Sequence, residues 1–299
     1  MPVEHRTRGL VLRTFDQGES DRVVHLYTAT HGRVGAIAKG ARRSKRRFPG
    51  TLEILSLIDV RLVDPPRAQL MRLESAKLVG AFEGITASLG RYAIACQFLE
   101  LLDRLTAERE AHPDLFHFAV GVLEVLNDAE PDRLLAVLVL AKTLARLGYR
   151  PQLARCAVCG AELSATAGQV AFLPAHGGAV CRACAGPAES AVPVRLLRAL
   201  EAGLRQPLRA RAELGLGARD VERAELLVER FFRFQIGTEL RSAAFLRQAL
   251  ADAEESRADP EPVDGVGDRG DTAPASDPGA ASARTGPRAS ISRPMGAPD

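Results

Sequence analysis

The sequence predicts an α+β protein in which a small five-stranded barrel precedes a helical domain that carries an inserted four-cysteine metal site. Three observations predict it. Short apolar runs separated by turn residues extend from Thr7 to about Ser75, the apolar period lengthens from about two to about 3.6 after Phe82, and two Cys-x-x-Cys pairs follow. With 299 residues, 46% of them hydrophobic and 26% charged, the chain is long enough to bury a sizeable core in roughly two domains.

The candidate strands are Arg8–Phe15, Arg22–Thr28, Val34–Lys39, Leu55–Val63 and Gln69–Glu74. Their connections, Gln17-Gly18-Glu19-Ser20, His31-Gly32-Arg33 and Asp64-Pro65-Pro66, combine permissive glycine with proline of fixed φ, which favours reversal. Five short strands closing on themselves suggest a barrel of the OB type.

Helical spacing begins with Ile94, Phe98, Leu101, Leu102 and Leu105, and repeats with Leu115, Ala119, Val122 and Leu126. Leu134–Leu147 is apolar nearly all round, which places it at the centre of a bundle, with Pro131 suited to its first turn and Gly148 to its stop. Further helices are expected at Val194–Arg205 and Asp220–Ala251, the latter with a Glu229–Arg233 pair of favourable order. Glu100 and Asp103 read as ordinary surface carboxylates with no acid/base partner in sight. From Asp252 onward the chain is Ala, Gly, Pro, Ser, Asp and Arg with almost no large apolar residue, the composition of a disordered segment. The expected division is an OB-fold domain over 1–81, a helical domain over 82–251 with a zinc finger at 153–187, and a polar tail over 252–299.

Cys156, Cys159, Cys181 and Cys184 form two close pairs 21 residues apart, with Gly168, Pro174, Gly177 and Gly178 between them to turn the chain back. That spacing brings four thiolates to one tetrahedral centre, the donor set of a structural zinc ion with no open position for water or substrate. The fifth cysteine, Cys96, reads as a packing thiol, and His176 as a spectator beside a complete ligand set.

Charge is uneven. Residues 1–82 hold 15 Lys and Arg against 8 Asp and Glu, whereas the segment from Asp252 holds 5 against 10. Lys39, Arg42, Arg43, Lys45, Arg46 and Arg47 fall within nine residues between the third and fourth strands, with Gly40 and Ser44 expected to keep the segment flexible. Such a run repels itself unless an anion is near, so it is a candidate contact for nucleic-acid phosphates, with Phe48 or Tyr27 as a stacking surface. Residues Met1–Phe15 contain no apolar run of signal-peptide length, and no stretch of 18 apolar residues occurs later, so the expectation is a soluble cytoplasmic protein without membrane contact. Neither a phosphate-binding Gly-rich loop nor a Gly-x-Ser-x-Gly elbow is present, which argues against a nucleotide hydrolase or an α/β hydrolase.

Specific motifs complete the reading. Gly18-Glu19-Ser20-Asp21-Arg22, Leu26-Tyr27-Thr28, His31-Gly32-Arg33 and Ala38-Lys39-Gly40-Ala41-Arg42, then Leu147-Gly148-Tyr149-Arg150-Pro151, Leu153, Cys156-Ala157-Val158-Cys159-Gly160 and Phe245-Leu246, resemble the RecO family of bacterial recombination mediators over about residues 5–251. The resemblance implies binding of single- and double-stranded DNA, annealing of complementary strands, and help in loading recombinase onto strands coated by single-strand-binding protein. It also implies RecR and the acidic C-terminal tail of single-strand-binding protein as partners, and association with the nucleoid during repair. Arg22 and Arg33, inside the matching motifs, join the run from Lys39 to Arg47 as candidate DNA contacts. The family pattern implies no enzymatic activity. The readings set against it are a zinc-ribbon adaptor that binds only proteins and a metal-dependent nuclease.

Overall fold

The alternation of apolar and polar residues near the N-terminus resolves into five strands: β1 (Val3–Gln17), β2 (Asp21–Thr28), β3 (Gly32–Ala38), β4 (Ser56–Asp64) and β5 (Met71–Ala81). The computed structural model describes residues 3–44, 46–65, 69–164, 168–186 and 191–258. Expectations for Lys45, for Pro66 and for the tail beyond Ala258 lie outside the described residues.

The strands close in the order β1-β2-β3-β5-β4, the topology expected of an OB barrel. Antiparallel ladders run through β1–β2, β2–β3, β1–β4 and β4–β5, and closure comes from a short parallel contact of Ala36 with Met71 and Ile37 with Arg72. Inside lie Val24, Leu26, Val34, Ile58, Val60, Leu62 and Leu73, joined by Phe48 and Leu52 from the β3–β4 connection. Phe48 and Tyr27 are therefore core residues, at 6% and 0% exposure, and offer no face to a base. Their size decided it, because burying an aromatic ring stabilises by roughly 2–3 kcal/mol that stacking in solvent would forgo.

The β2–β3 turn depends on Gly32. Its φ is +60°, and a side chain there would collide with the Glu110 carbonyl of the loop after the first long helix.

The helical region contains α1 (Glu83–Thr86), α2 (Leu89–Leu105), α3 (Pro113–Asp128) and α4 (Arg133–Arg146). After these come β6 (Gln169–Leu173), β7 (Gly178–Val180), α5 (Arg182–Ala185), β8 (Ala191–Pro193), α6 (Val194–Arg205), α7 (Ala218–Ile236) and α8 (Ala243–Ala258). Leu135 through Ala141 are all buried, so α4 is central as its composition predicts. Pro131 lies ahead of this helix rather than in its first turn. Asp132 is the N-cap, accepting from Leu135 N at 2.7 Å.

Asp220–Ala251 is not one helix. Gly237 adopts φ +73° and stops α7, and α8 starts where Glu100 of α2 accepts hydrogen bonds from Arg241 N and Ser242 N, both at 2.9 Å, and from Ser242 Oγ at 2.7 Å. The expected Glu229–Arg233 pair is replaced by longer-range partners: Arg233 reaches Glu239 at 3.0 Å and Glu229 faces Arg247 at 3.9 Å. The last helix also passes the expected boundary at Asp252, because Arg133 binds Glu254 at 3.0 Å and Arg257 donates to the Pro131 carbonyl at 2.7 Å.

Barrel and helices share a core. Leu10, Leu12 and Tyr27 belong to the same buried cluster as Ile94, Phe98, Leu102, Phe116 and Leu123. A second cluster joins α4, α6 and α7 to the small β7-β6-β8 sheet and includes Cys156.

Candidate metal centre and nucleic-acid interface

The chain around Cys156 forms a tight loop in which Cys156 N donates to the Ala161 carbonyl at 2.8 Å and Gly160 N donates back to the Cys156 carbonyl at 2.9 Å. The second pair sits at the start of α5, where Cys184 N and Ala185 N both donate to the Cys181 carbonyl at 3.0 Å. Gly178 brings the two halves together, since its φ of +154° and its packing against the Gln152 backbone leave no space for a side chain.

All four sulfurs lie within 4.8 Å of one another, and the Cys159–Cys181 separation is 3.8 Å. A tetrahedron with metal–sulfur arms of about 2.3 Å has edges of about 3.8 Å, so the donor set fits a four-coordinate ion and is compatible with zinc. Burial raises the Cys156 thiol, but backbone N–H groups of Cys159, Cys181 and Val158 converge on it and bring it down to about 6. Cys184 is pushed up to about 12 by donating toward the Cys181 and Cys159 sulfurs. His176 is exposed and outside the cluster, while Cys96 is half-buried beside Tyr92, where burial raises its thiol.

The basic segment follows β3 at one rim of the barrel, and backbone hydrogen bonds tie its described residues to neighbouring elements. Gly40 N donates to Asp21 Oδ1 at 2.8 Å, Arg42 N to the Ser20 carbonyl at 3.0 Å, Arg47 N to Ser44 Oγ at 3.2 Å, and Ala76 N of β5 to the Arg47 carbonyl at 3.0 Å. Arg42, Arg43, Arg46 and Arg47 are exposed. Arg47 donates to the Lys39 carbonyl at 2.6 Å and lies over the Phe48 ring at 5.2 Å.

Carboxylates accompany these cations. Lys39 pairs with Asp21 at 2.8 Å, Arg42 faces Asp16 at 3.5 Å, and Arg43 faces Glu19 at 3.6 Å. Arg22 is half-buried and bridges Asp16 and Glu53 at 3.0 and 2.7 Å, so it ties the β1–β2 hairpin to the β3–β4 connection. Among the described residues of this rim, Arg46 alone has no ion-pair or hydrogen-bond partner.

Arg33 departs further. Its guanidinium donates to the Thr106 carbonyl at 3.1 Å and lies 4.0 Å from Asp103, inside the junction between barrel and helices. Asp103 is likewise not a surface group: it is 8% exposed and accepts from His25 at 3.0 Å and from Arg13 at 3.3 Å. Sequence reasoning passed over Phe15, which is 45% exposed on β1 and edge-on to His25 at 5.9 Å.

A closed five-stranded barrel with an arginine-rich rim is fused to a helical body with a four-thiol centre, and the family models that match this architecture are those of a recombination protein. The chain belongs to the recombination protein O family: residues 1–82 match the family model described as Recombination protein O N terminal, and residues 87–244 match Recombination protein O C terminal. A relative from Myxococcus xanthus named DNA repair protein RecO is 38% identical over 250 residues, covering 81% of this chain and 97% of the relative. Proteins of the same name are 36% identical in Anaeromyxobacter dehalogenans, over 80% of this chain and 94% of theirs, and 34% identical in Pelobacter propionicus, over 81% and 96%. No helix among the described residues is long and apolar enough to cross a membrane.

Proposed function

We propose that this protein binds single- and double-stranded DNA, anneals complementary strands without nucleotide hydrolysis, and helps load recombinase onto strands coated by single-strand-binding protein. The observation that carries the reading is the set of exposed arginines Arg42, Arg43, Arg46 and Arg47 at one barrel rim, in a segment tied down by backbone hydrogen bonds of Arg42, Arg43 and Arg47. Two strands repel through their phosphates, and a fixed cationic surface that neutralises both lowers that barrier while base pairing supplies the driving force. No acid, base or nucleophile is required, so the protein acts as a non-enzymatic accessory. RecR and the acidic tail of single-strand-binding protein are its protein partners in this reading.

Within this reading Lys39 and Lys45 contribute charge, Arg22 and Arg33 position the rim and the junction, and Phe15 takes the stacking role that Tyr27 and Phe48 cannot fill. Asp16, Glu19 and Asp21 shape the site as well, because phosphates must displace them from Arg42, Arg43 and Lys39. Cys156, Cys159, Cys181 and Cys184 hold one zinc ion, whose chemistry there is to crosslink the Cys156–Cys159 loop to the start of α5.

The test is ATP-independent annealing of oligonucleotides precoated with single-strand-binding protein, followed across a salt titration. Annealing that weakens steeply with salt supports the proposal. Annealing unchanged when the four rim arginines become alanine in a folded sample would defeat the assigned site, and strand cleavage with magnesium or zinc would defeat the non-enzymatic reading.

A further inference from the structure

The outer face of α7 carries a second cationic surface, and its charges are arranged differently from those of the rim. Arg219, Arg223 and Arg230 are exposed at positions i, i+4 and i+11 of the helix, which places them on one stripe. None has a hydrogen-bond or ion-pair partner among the described residues. The carboxylates of the same helix mostly turn elsewhere: Glu225 to Arg133 at 3.5 Å, Glu229 to Arg247, and Asp220 to Arg195 at 2.6 Å. Glu222 alone remains exposed at the edge of the stripe.

Apolar groups interleave with the cations. Leu226 is 61% exposed and Phe234 58%, both on the same stripe. From Arg219 to Phe234 it runs roughly 22 Å at 1.5 Å per residue, enough for several phosphates of an extended strand. At its end Phe234 walls an open cleft of about 520 Å³, shared with Leu173, Pro174, His176 and Arg230. Repeated cations along a line, ending in an exposed aromatic ring above a cleft, are the physical requirements for holding a single strand: charge tracks the backbone while the ring receives a base.

We propose that this face of α7 is a second contact for single-stranded nucleic acid, with phosphates along Arg219, Arg223 and Arg230 and a base stacked on Phe234 in the cleft. The inference rests on the DNA-binding reading above and deepens it, because annealing requires a molecule to hold two strands at once. Strand pairing then proceeds from one strand at the barrel rim and another on α7.

The chain contains no tryptophan, so Phe234→Trp installs a unique fluorophore at an exposed position. An oligothymidylate titrated into this variant is expected to quench the tryptophan with the same midpoint as the anisotropy rise of a labelled oligothymidylate. Adding Arg219→Ala, Arg223→Ala and Arg230→Ala should abolish the quenching and reduce the slope of log K against log salt by about 2. Strand binding by anisotropy with an unchanged tryptophan signal overturns the α7 site and leaves the rim reading standing, whereas absence of binding by the unsubstituted protein overturns both. Quenching by oligoglutamate but not by oligothymidylate also overturns it, in favour of an acidic peptide. Phe234→Ala with an unaltered thermal melt gives the independent check: its annealing rate should fall several-fold, and an unchanged rate counts against the proposal.

Discussion

Asp103 on α2 accepts a hydrogen bond from His25 on β2 at 3.0 Å, across the junction between barrel and helices. Burial works against this carboxylate, but His25 and Arg13 overcome it and hold Asp103 below the usual carboxylate range. A group depressed on folding stabilises the native state above its unfolded value of about 4 and loses that contribution as pH falls through its lower folded value. Asp103→Ala should therefore cost about 2 kcal/mol at neutral pH, lowering the midpoint of thermal unfolding by roughly 4–8 °C, and the difference from the parent protein should shrink below about pH 4. Melts at pH 7 and pH 3 check this, and a constant difference would show that charge is not the cause.

Tyr27 gives a prediction of opposite sign. Its hydroxyl is buried with no hydrogen-bond partner among the described residues, and burial pushes its ionisation up to about 12. Tyr27→Phe removes an unsatisfied polar atom while keeping the ring, so denaturant unfolding should show a gain of up to about 1 kcal/mol. Affinity for oligonucleotides should be unchanged. A clear loss of affinity would assign the hydroxyl a nucleic-acid contact that its buried position denies.

Replacing Arg42, Arg43, Arg46 and Arg47 with alanine should lower affinity for single strands and flatten the salt dependence by about 3 in log–log slope if all four meet phosphates. Asp16 and Glu19 already hold Arg42 and Arg43, so Glu19→Gln should tighten binding modestly, by the few-fold that freeing one exposed arginine allows. Fluorescence anisotropy at several salt concentrations measures both effects.

Metal analysis of the purified protein should find one zinc per chain, and Cys156→Ser should remove it and destabilise the sheet and helices packed on that residue. A strong chelator should lower the thermal midpoint of the parent protein and leave the serine variant unmoved. Chelation without effect on either would separate the four thiols from fold stability.

Gly32→Ala combines positive φ with a collision at the Glu110 carbonyl, so a loss of at least about 2 kcal/mol is expected in chemical denaturation. An equally stable variant would mean that the α2–α3 loop can withdraw freely from the turn.

The barrel was legible because its strands alternate and its turns carry Gly18 and Gly32, and the metal centre because two Cys-x-x-Cys pairs leave few other geometries. The break between α7 and α8 was hidden. The helical period continues across it, a glycine costs a helix only about 1 kcal/mol, and the group that starts α8 is Glu100, far away in sequence. The pairing of rim cations was hidden for a related reason. Arg22 opposes Ala38 in the β2–β3 ladder, and only that register brings Asp16, Glu19 and Asp21 beside the segment from Lys39 to Arg43. Arg33 and Asp103 look like surface residues in isolation, and they meet, Asp103 buried and Arg33 half-buried, only at the junction of barrel and helices.

Leu10, Leu12 and Tyr27 of the barrel sit embedded among Ile94, Phe98 and Leu123 of the helices. If a strand binds the barrel as proposed, this shared packing is what passes its pull to the helical body. On the proposed reading, a partner that grips the helices would sense the path of the nucleic acid held by the barrel.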